Sequence, residues 1–431
     1  MRILLINPPN SGRSIPEERY GITSLKQIFR GEPLGLETLA GNLAGHEVRI
    51  LDLKVEPDGL QDQLNSFAPE LVGLTAMTCE ANSVLKLAQE IKGTCPAQVV
   101  VGGIHASGDP EFFNRPEIDW IVIGLGKQSL RELVAALGNG AADINIPGVA
   151  RCRPGTPLRW TPRSYTSRDL AAEIPPRYDL VAQYREHYVL PTLGLRMGFV
   201  ASAAGCPYDC SFCCIAPLTE GRYLSADSNA VLRDIEMLDQ TPVIRLVDAN
   251  SFGNPTQALQ LAEAIAAAGL RKQYLADVRA DTVVRHPELL KRWKEVGLRG
   301  VIVGFEEISD SSLGAMNKQG SAAGNREAIG ILHALGLTIV GDFIISPDYT
   351  EAQFDRLGEF VRTQQIELPM YTVLTPLPGT QLYRQLRERI HIHDLDYYTL
   401  TNAVLPTYLD EELFYRRYAA LLAEGHSKAK V

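Results

Sequence analysis

Several features are missing from this 431-residue sequence, and each absence narrows its function. No run approaches the roughly 18 consecutive apolar residues of a membrane-spanning helix, so no span is expected. Basic residues are not in excess, because 42 lysines and arginines face 51 aspartates and glutamates for a net charge of −9. That balance argues against a general nucleic-acid or anionic-membrane binder. Low-complexity tracts are lacking, and a composition with 45% hydrophobic residues excludes a largely disordered chain.

A hydrophobic leader is also missing at the start of the sequence. About four apolar residues precede Asn7-Pro8-Pro9, which is too few for a signal peptide and suits a buried first strand. A cytoplasmic location is therefore expected. Seven cysteines make an odd number, and four of them lie between positions 206 and 214, unlike the spread of a disulfide framework. In a reducing compartment such a cluster predicts metal or cofactor ligation.

Residues 1–140 alternate short apolar runs with helical patterns, which predicts a doubly wound, Rossmann-like α/β domain of the flavodoxin type. Runs of this kind are typical of parallel strands buried on both faces. The predicted strands are Ile3–Ile6, Val48–Leu51, Leu71–Leu74, Val99–Val101 and Trp120–Ile123.

Small and flexible residues follow most of these predicted strands. Ligands of open α/β sheets bind at the carboxyl ends of the strands, where glycine lets the backbone approach a ligand closely. Ordinary turn chemistry is the alternative explanation for any one loop, but five such loops together favour a large ligand. The candidate binding residues are Asn7, Pro8, Pro9, Thr75, Met77, Gly102, Gly103, His105, Gly124 and Gly126.

The remaining chain divides into three parts. Proline-rich residues 141–194 predict an interdomain linker that wraps the surface. Residues 195–385 contain a second series of six βα units, which predicts a partial (β/α)6 barrel with its site at the carboxyl ends of the strands. Residues 386–431 form a short tail with a predicted helix over 411–424.

The sharpest motif is the C-x3-C-x2-C spacing of Cys206, Cys210 and Cys213, just after the first strand of the second series. Three thiolates from one loop can bind three irons of a four-iron four-sulfur cluster and leave the fourth iron open. A zinc site is the main alternative, but zinc usually takes paired cysteines and no second pair is present. The neighbouring Cys214 is interpreted as a buried thiol.

This motif on a partial barrel resembles the radical S-adenosylmethionine enzymes. The resemblance implies that Phe212 packs near the adenine and that Asp248, Arg279 and Glu306 bind S-adenosylmethionine. Each of the three charged residues has a structural alternative: a nearby helix cap for Asp248, an ion pair with Asp281 for Arg279, and a strand-end salt bridge for Glu306.

The first domain resembles the cobalamin-binding domain that is fused to one branch of that family. Two departures stand out. Gly124-Leu-Gly126-Lys stands where the family often has Gly-Glu-Gly-Glu, which puts the hydrogen bonds of that loop in doubt. The sequence around His105 lacks the aspartate that would orient a cobalt ligand, so cobalamin is expected to bind without a histidine below the cobalt and His105 to line the corrin.

Together the two resemblances imply a cobalamin-dependent methyltransferase acting on an unactivated sp3 carbon through a 5′-deoxyadenosyl radical. Residues 369–380 look most like the hopanoid C-3 methylase group, so the expected substrate is a hopanoid-like lipid or else a peptide or protein side chain. The expected partner protein is an electron donor such as flavodoxin or ferredoxin. Two alternatives stay open: a radical enzyme that uses cobalamin for ring formation or oxidation, and a non-enzymatic cobalamin or redox sensor.

Overall fold

The computed structural model describes residues 1–9, 13–23, 31–141, 143–167, 174–190 and 195–427. In the first domain, six strands form one sheet in the order β2-β1-β3-β4-β5-β6, of which the first five are parallel. This is the predicted doubly wound arrangement, and the fold-class prediction is confirmed. The strands are β1 (Arg2–Asn7), β2 (Glu47–Asp52), β3 (Leu71–Thr75), β4 (Gln98–Gly102), β5 (Trp120–Val122) and β6 (Val149–Arg151).

Helices pack on both faces of this sheet, and six are found among the described residues of the first domain. Ile3, Leu4, Leu5 and Ile6 of β1 are at most 1% exposed, because a parallel strand is buried from both sides. The helices are α1 (Ile15–Tyr20), α2 (Leu34–Gly41), α3 (Leu60–Phe67), α4 (Ala81–Thr94), α5 (Ile104–Gly108) and α6 (Lys127–Gly138).

The segment predicted as a surface linker is more structured than expected. Its strand β6 pairs antiparallel with β5 and so extends the first sheet. A 3-10 helical stretch over Tyr178–His187 buries Tyr178, Val181 and Tyr184 between the two domains. The prediction that this segment only wraps the surface is therefore wrong for these two stretches; positions 142, 168–173 and 191–194 of the linker lie outside the described residues.

The second domain is an open half-barrel of six parallel strands in the order β15-β14-β13-β12-β11-β8, with β7 added antiparallel at the β8 edge. The predicted partial barrel is confirmed. The larger strands are β8 (Leu195–Val200), β11 (Val243–Leu246), β12 (Gln273–Val278), β13 (Leu298–Glu306), β14 (Thr338–Ile345) and β15 (Leu368–Val373). The two-residue strands are β7 (Val189–Leu190), β9 (Ala203–Ala204) and β10 (Leu224–Ser225).

Helices on the outside of the half-barrel connect these strands. Buried side chains such as Trp293 and Phe354, which are at most 1% exposed, fill the layer between the helices and the sheet. The helices are α7 (Ile215–Leu218), α8 (Ser228–Met237), α9 (Pro255–Ala268), α10 (Ala280–Arg285), α11 (Pro287–Glu295), α12 (Asp310–Ala315), α13 (Ala322–Ala334), α14 (Glu351–Thr363) and α15 (Gln381–Leu386).

The tail contacts both domains, and in the half-barrel the Tyr418 hydroxyl donates to the carbonyl of Tyr371 on β15 at 2.7 Å. Its helix α16 (Glu411–Ser427) starts where Glu411 accepts hydrogen bonds from Arg19 and from the Tyr20 hydroxyl, at 2.7 and 2.6 Å. Asn402 accepts a hydrogen bond from the backbone N–H of Ile15 at 2.8 Å. In the described part of the chain, no helix combines the length and apolarity that a membrane crossing needs.

Two buried glutamates lie at the junction of the domains. Glu32 pairs with Arg185 at 2.7 Å and accepts a hydrogen bond from the N–H of Phe199 on β8. Glu37 on α2 is 0% exposed, and its carboxyl group lies against that of Glu32. Burial, together with the nearby Glu32, raises the pKa of Glu37 well above its usual range.

We expect Glu37→Gln to stabilise the protein increasingly as the pH rises. The buried acid keeps its proton while the unfolded chain loses it near pH 4.3, so wild-type stability falls from that pH up to the folded-state pKa. The neutral amide avoids this loss, which amounts to at most about 1.4 kcal/mol per pH unit. Urea midpoints at pH 5 and pH 8 measure the difference. Glu47→Gln makes the same substitution at an exposed site and should show no such trend; an equal trend in both variants would refute the argument.

Candidate functional site

The three predicted cluster cysteines lie on the loop that follows β8 and β9. Cys206, Cys210 and Cys213 are each half-buried. Gly205 precedes them with φ of +78°, and a Cβ there would lie 2.1 Å from Thr219 Oγ1. Only glycine fits this close approach, so Gly205 determines the backbone conformation with which the chain enters the cysteine loop.

The segment after α12 holds the cysteine loop from the other side. The N–H of Ser211 donates to the carbonyl of Met316 at 2.9 Å, and Asn317 Nδ2 donates to the carbonyl of Asp209 at 3.1 Å. Gln319 Nε2 donates to Asp209 Oδ1 at 3.2 Å. These bonds fix the loop on both sides of Cys210, its second cysteine.

The thiols influence one another electrostatically, which places them in one neighbourhood. Burial raises the pKa of Cys213 to about 11, and Cys214, Cys210 and Cys206 add to that shift. No group of three His, Cys, Asp or Glu side chains in the described ranges is placed to share one metal ion. A four-iron cluster makes a different demand, because each thiolate binds a separate iron. A half-buried loop with three thiols is a donor set that fits such a cluster.

Asp248 lies just past the end of β11 and positions the start of this loop. Its Oδ1 accepts hydrogen bonds from the N–H groups of Ser202 and Ala203, both at 2.8 Å, and its Oδ2 accepts from the Ser202 hydroxyl at 2.6 Å. The side chain is buried. Asp248 therefore caps backbone N–H groups at a strand-to-loop turn, and the helix cap that was its alternative interpretation is not what these bonds form.

Arg279 follows β12 and fixes the same loop. Its Nε donates to Asp281 at 2.8 Å. Its guanidinium lies 3.6 Å from the ring centroid of Tyr208, a residue that stands between Cys206 and Cys210 in the sequence. A further guanidinium nitrogen donates to the carbonyl of Gln319. The predicted alternative, a pair with Asp281, is present in this structure.

Glu306 ends β13 in an uncommon conformation. Its φ of +62° lies in the left-handed region that non-glycine residues rarely adopt, and the register of β13 with β14 shifts there. Lys318 Nζ donates to Glu306 Oε1 at 2.8 Å, and both side chains are about nine-tenths buried. The positive charges of Lys318 and Arg279 also act on Cys210, lowering its thiol pKa against the larger effect of burial.

Lys318 is a candidate that the sequence motifs missed. It follows Glu306 by 12 residues, and only the fold brings the two together. A lysine after the helix that follows a strand-end glutamate is the one signal in the sequence, and it is too common to identify a site.

Two more carboxyls lie near this pair on neighbouring strands. Asp277 on β12 pairs with Arg245, and burial raises its pKa to about 6. Asp342 on β14 is opposite Gly304 in the strand register, and burial together with Glu306 and Asp277 raises its pKa to about 8. The half-barrel thus collects polar groups beside the cysteine loop.

The first domain has its own cavity, of about 150 Å³, on one face of its sheet. Apolar side chains and backbone line it, and a Cβ on Gly73 would lie 2.8 Å from Leu5. This is a narrow slot that side chains would fill. Five of its lining residues were predicted to bind a ligand, namely Thr75, Gly102, Gly103, Gly124 and Gly126.

The other predicted residues of this domain lie outside the slot. Met77 is 49% exposed, just after β3, and Pro9 is half-buried after β1 next to the buried Pro8. Asn7 is buried and donates to Asp52 Oδ1 at 2.9 Å. His105 is 1% exposed and packs edge-on against Phe112 and Phe113, so its ring faces the domain interior.

A second cavity, of about 290 Å³, lies between the domains. Ser107 and Gly124 line it from the first domain, Tyr165 from the linker, and Cys214 and Pro378 from the second domain. Gly124 also lines the slot, so the two cavities adjoin.

Phe212 is half-buried on the cysteine loop.

Comparisons with known proteins agree with this two-part site. A B12 binding domain model matches residues 26–134, and a radical SAM superfamily model matches residues 200–361. The hopanoid C-3 methylase of Methylococcus capsulatus is 30% identical over 402 residues, which are 90% of this chain and 75% of that protein. An uncharacterised methyltransferase of Pyrococcus horikoshii is 30% identical over 399 residues, which are 89% of this chain and 82% of that protein.

A solved structure shares the fold. It is the radical S-adenosylmethionine methyltransferase TsrM from Kitasatospora setae, with cobalamin and a 4Fe–4S cluster bound. The likeness has a TM-score of 0.72 at 19% identity and covers 90% of this chain and 75% of TsrM. At 19% identity this likeness is evidence for a shared fold only.

Proposed function

Since the chain belongs to the radical S-adenosylmethionine enzymes that carry a B12-binding domain, in their methyltransferase branch, we propose that it methylates an unactivated sp3 carbon. One observation carries this proposal. The interdomain cavity is lined by Cys214 at the end of the cysteine loop and by Gly124, which also lines the slot of the first domain. When bound, the cluster, S-adenosylmethionine and cobalamin supply the radical and the methyl group. The chain's own residues bind these groups, orient them and exclude water.

Cys206, Cys210 and Cys213 are the proposed cluster ligands. Asp248 and Arg279 are proposed as positioning residues for the loop, because Asp248 accepts hydrogen bonds from the segment that leads into it and Arg279 stacks on Tyr208 within it. Phe212, next to the third cysteine, is proposed to pack against the adenine of S-adenosylmethionine.

Glu306 and Lys318 are proposed to bind the methionine part of S-adenosylmethionine. An amine needs a carboxylate acceptor and a carboxylate needs a cationic donor, and this ion pair beside Cys210 offers both. The backbone of Glu306 has a left-handed φ, which its neighbours must hold in place. Backbone strain of this kind is typical of binding sites, where it keeps a side chain in the orientation that the ligand needs.

We expect Lys318→Gln to raise the Kd for S-adenosylmethionine about 10- to 100-fold, because a charge-assisted hydrogen bond is lost. Equilibrium dialysis with the labelled compound on reconstituted protein measures this. Lys318→Arg should recover part of the affinity, and Lys291→Gln, at an exposed site, should leave it unchanged. Unchanged affinity in Lys318→Gln with normal iron content would remove this residue from the site.

The slot of the first domain is proposed to bind cobalamin. Its apolar walls and glycine backbone suit one flat, apolar part of this cofactor, and Thr75, Gly102, Gly103, Gly124 and Gly126 already line it. Asn7, Pro8, Pro9 and Met77 are proposed to border the corrin at the ends of β1 and β3. His105 is proposed to support its loop from below, because its ring packs against phenylalanines.

A hopanoid-like lipid is the proposed substrate, supported by the similarity to hopanoid C-3 methylase, and a peptide or protein side chain is the alternative. Flavodoxin or ferredoxin is the proposed electron donor. Both assignments rest on the family alone.

The test uses anaerobically reconstituted protein with cobalamin, a strong reductant, deuteromethyl S-adenosylmethionine and a detergent-dispersed hopanoid. We expect 5′-deoxyadenosine and S-adenosylhomocysteine together, and a hopanoid that gains a deuterated methyl group. Formation of 5′-deoxyadenosine without S-adenosylhomocysteine would overturn methyl transfer in favour of ring formation or oxidation. Both small products without a labelled hopanoid would overturn the lipid and favour the peptide.

A further inference from the structure

The loop after β5 has Leu125 and Lys127 where the family that it resembles often has glutamates, yet the backbone N–H groups of Gly124 and Leu125 have partners. The N–H of Gly124 donates to Ser107 Oγ at 2.9 Å. The N–H of Leu125 donates to the hydroxyl of Tyr165 at 3.0 Å, and that hydroxyl donates to the carbonyl of Ile123 at 3.4 Å. A tyrosine from the linker therefore closes the hydrogen bonds of this loop.

The fit between Tyr165 and this loop is tight. Gly124 has φ of +90°, and a Cβ there would lie 2.4 Å from the Tyr165 hydroxyl. Tyr165 is 5% exposed. Glycine at this position therefore serves the tyrosine as well as the backbone conformation. Because Gly124 lines both cavities, Tyr165 lies where the slot meets the interdomain cavity.

Neighbouring residues fix this part of the linker to the first domain. Arg163 donates to Ser129 Oγ at 3.0 Å and to Gln128 Oε1 at 2.9 Å, and it also pairs with Glu132. All three partners are on α6. The tyrosine is thus delivered to the loop by an anchored segment.

The other end of Tyr165 is bonded to the second domain. Arg222 Nη1 donates to the Tyr165 carbonyl at 2.8 Å. The carbonyl of Arg222 accepts from Thr219 Oγ1 at 2.7 Å, and it would lie 2.2 Å from a Cβ on Gly205, the residue before Cys206. A short series of contacts therefore runs from the cysteine loop through Arg222 and Tyr165 to Leu125.

We propose that Tyr165 is a positioning residue whose hydroxyl holds the loop after β5 in the shape that receives cobalamin, and whose carbonyl ties that loop through Arg222 to the cysteine loop. The inference rests on the proposed function only in naming cobalamin as the ligand of the slot. A linker residue, Tyr165, thus aligns the slot of the first domain with the cysteine loop of the half-barrel.

The test compares Tyr165→Phe with Tyr178→Phe in the full chain. Both variants keep the ring and remove one buried hydroxyl of the linker, but Tyr178 donates to the carbonyl of Phe199, away from the slot. In Tyr165→Phe without cobalamin, we expect hydrogen exchange of the Leu125 amide to accelerate about tenfold. Absorbance titration with hydroxocobalamin should give a Kd raised about tenfold. Tyr178→Phe should change neither quantity.

Arg222→Gln tests the second half of the proposal. It should leave the Kd for hydroxocobalamin within about twofold of wild type, since the Tyr165 hydroxyl is intact. It should raise the ratio of 5′-deoxyadenosine to S-adenosylhomocysteine, because the two sites lose their alignment. An unchanged ratio would overturn the tie between the loops.

Unchanged Leu125 exchange and cobalamin affinity in Tyr165→Phe would overturn the role of the hydroxyl. Failure of the proposed function looks different from failure of this inference. Wild-type protein that binds hydroxocobalamin but forms no S-adenosylhomocysteine refutes methyl transfer, while a weakened Tyr165→Phe complex would still support the positioning role.

Discussion

Replacing Cys210 by alanine abolishes cleavage of S-adenosylmethionine, lowering the rate of 5′-deoxyadenosine formation by more than about 10³-fold, or roughly 4 kcal/mol of activation free energy. Cys210 is the middle ligand of the proposed trio, and the loop around it has little freedom to supply a substitute. Its neighbours Ser211 and Asp209 are bonded to the segment after α12. Iron and sulfide analysis of anaerobically purified protein, followed by the cleavage assay, measures the effect.

Cys214→Ala is the matched control for this variant. Cys214 is adjacent to Cys213 in the chain and is also half-buried, but it lines the interdomain cavity. It should retain close to four irons per chain and most of the cleavage rate. Equal loss of iron in both variants would assign Cys214 to the cluster, and full iron content in Cys210→Ala would end the proposed ligand set.

Asp248→Ala should cost about 3–5 kcal/mol of unfolding free energy and should also prevent assembly of the cluster. The substitution strands three donors, the Ser202 and Ala203 N–H groups and the Ser202 hydroxyl, in a buried place. These donors lie at the start of the loop that carries Cys206, so the ligand geometry is lost along with stability. Urea unfolding and iron content after reconstitution are the two measurements.

Asp52→Ala separates the local effect from general destabilisation. Asp52 is also buried and also accepts three hydrogen bonds, from Asn7, Lys54 and Tyr188, but it belongs to the first domain. We expect a similar loss of stability with normal iron content. If the two variants lose iron alike, Asp248 has no particular role at the cysteine loop.

The parallel strands were predictable because burial on both faces leaves a plain mark in the sequence. A run such as Ile3–Ile6 is apolar throughout, and the observed β1 extends it by one residue at each end. Strand β6 left no such mark, since it has three residues and pairs antiparallel inside a proline-rich segment. The buried stretch around Tyr178 was missed because its aromatic residues contact two domains at once.

The site was predictable to the extent that its residues are close in sequence. The cysteine spacing needs only one loop, whereas the pair of Lys318 with Glu306 and the approach of Tyr165 to Leu125 depend on how the chain folds back. Arg279 shows the limit of motif reasoning. Its partner Asp281 is two residues away, but its stacking on Tyr208 crosses from one strand end to another.

The hydrogen bonds that Glu411 accepts from Arg19 and Tyr20 have a practical consequence for dividing this polypeptide into fragments. A fragment ending before the tail would lose the acceptor for both side chains, and one cut at the linker would bare the apolar surface that Tyr178 and Val181 cover. The first domain is therefore poorly suited to transfer into another protein by itself. Grafting it onto a foreign catalytic module would require carrying over the last stretch of the chain as well.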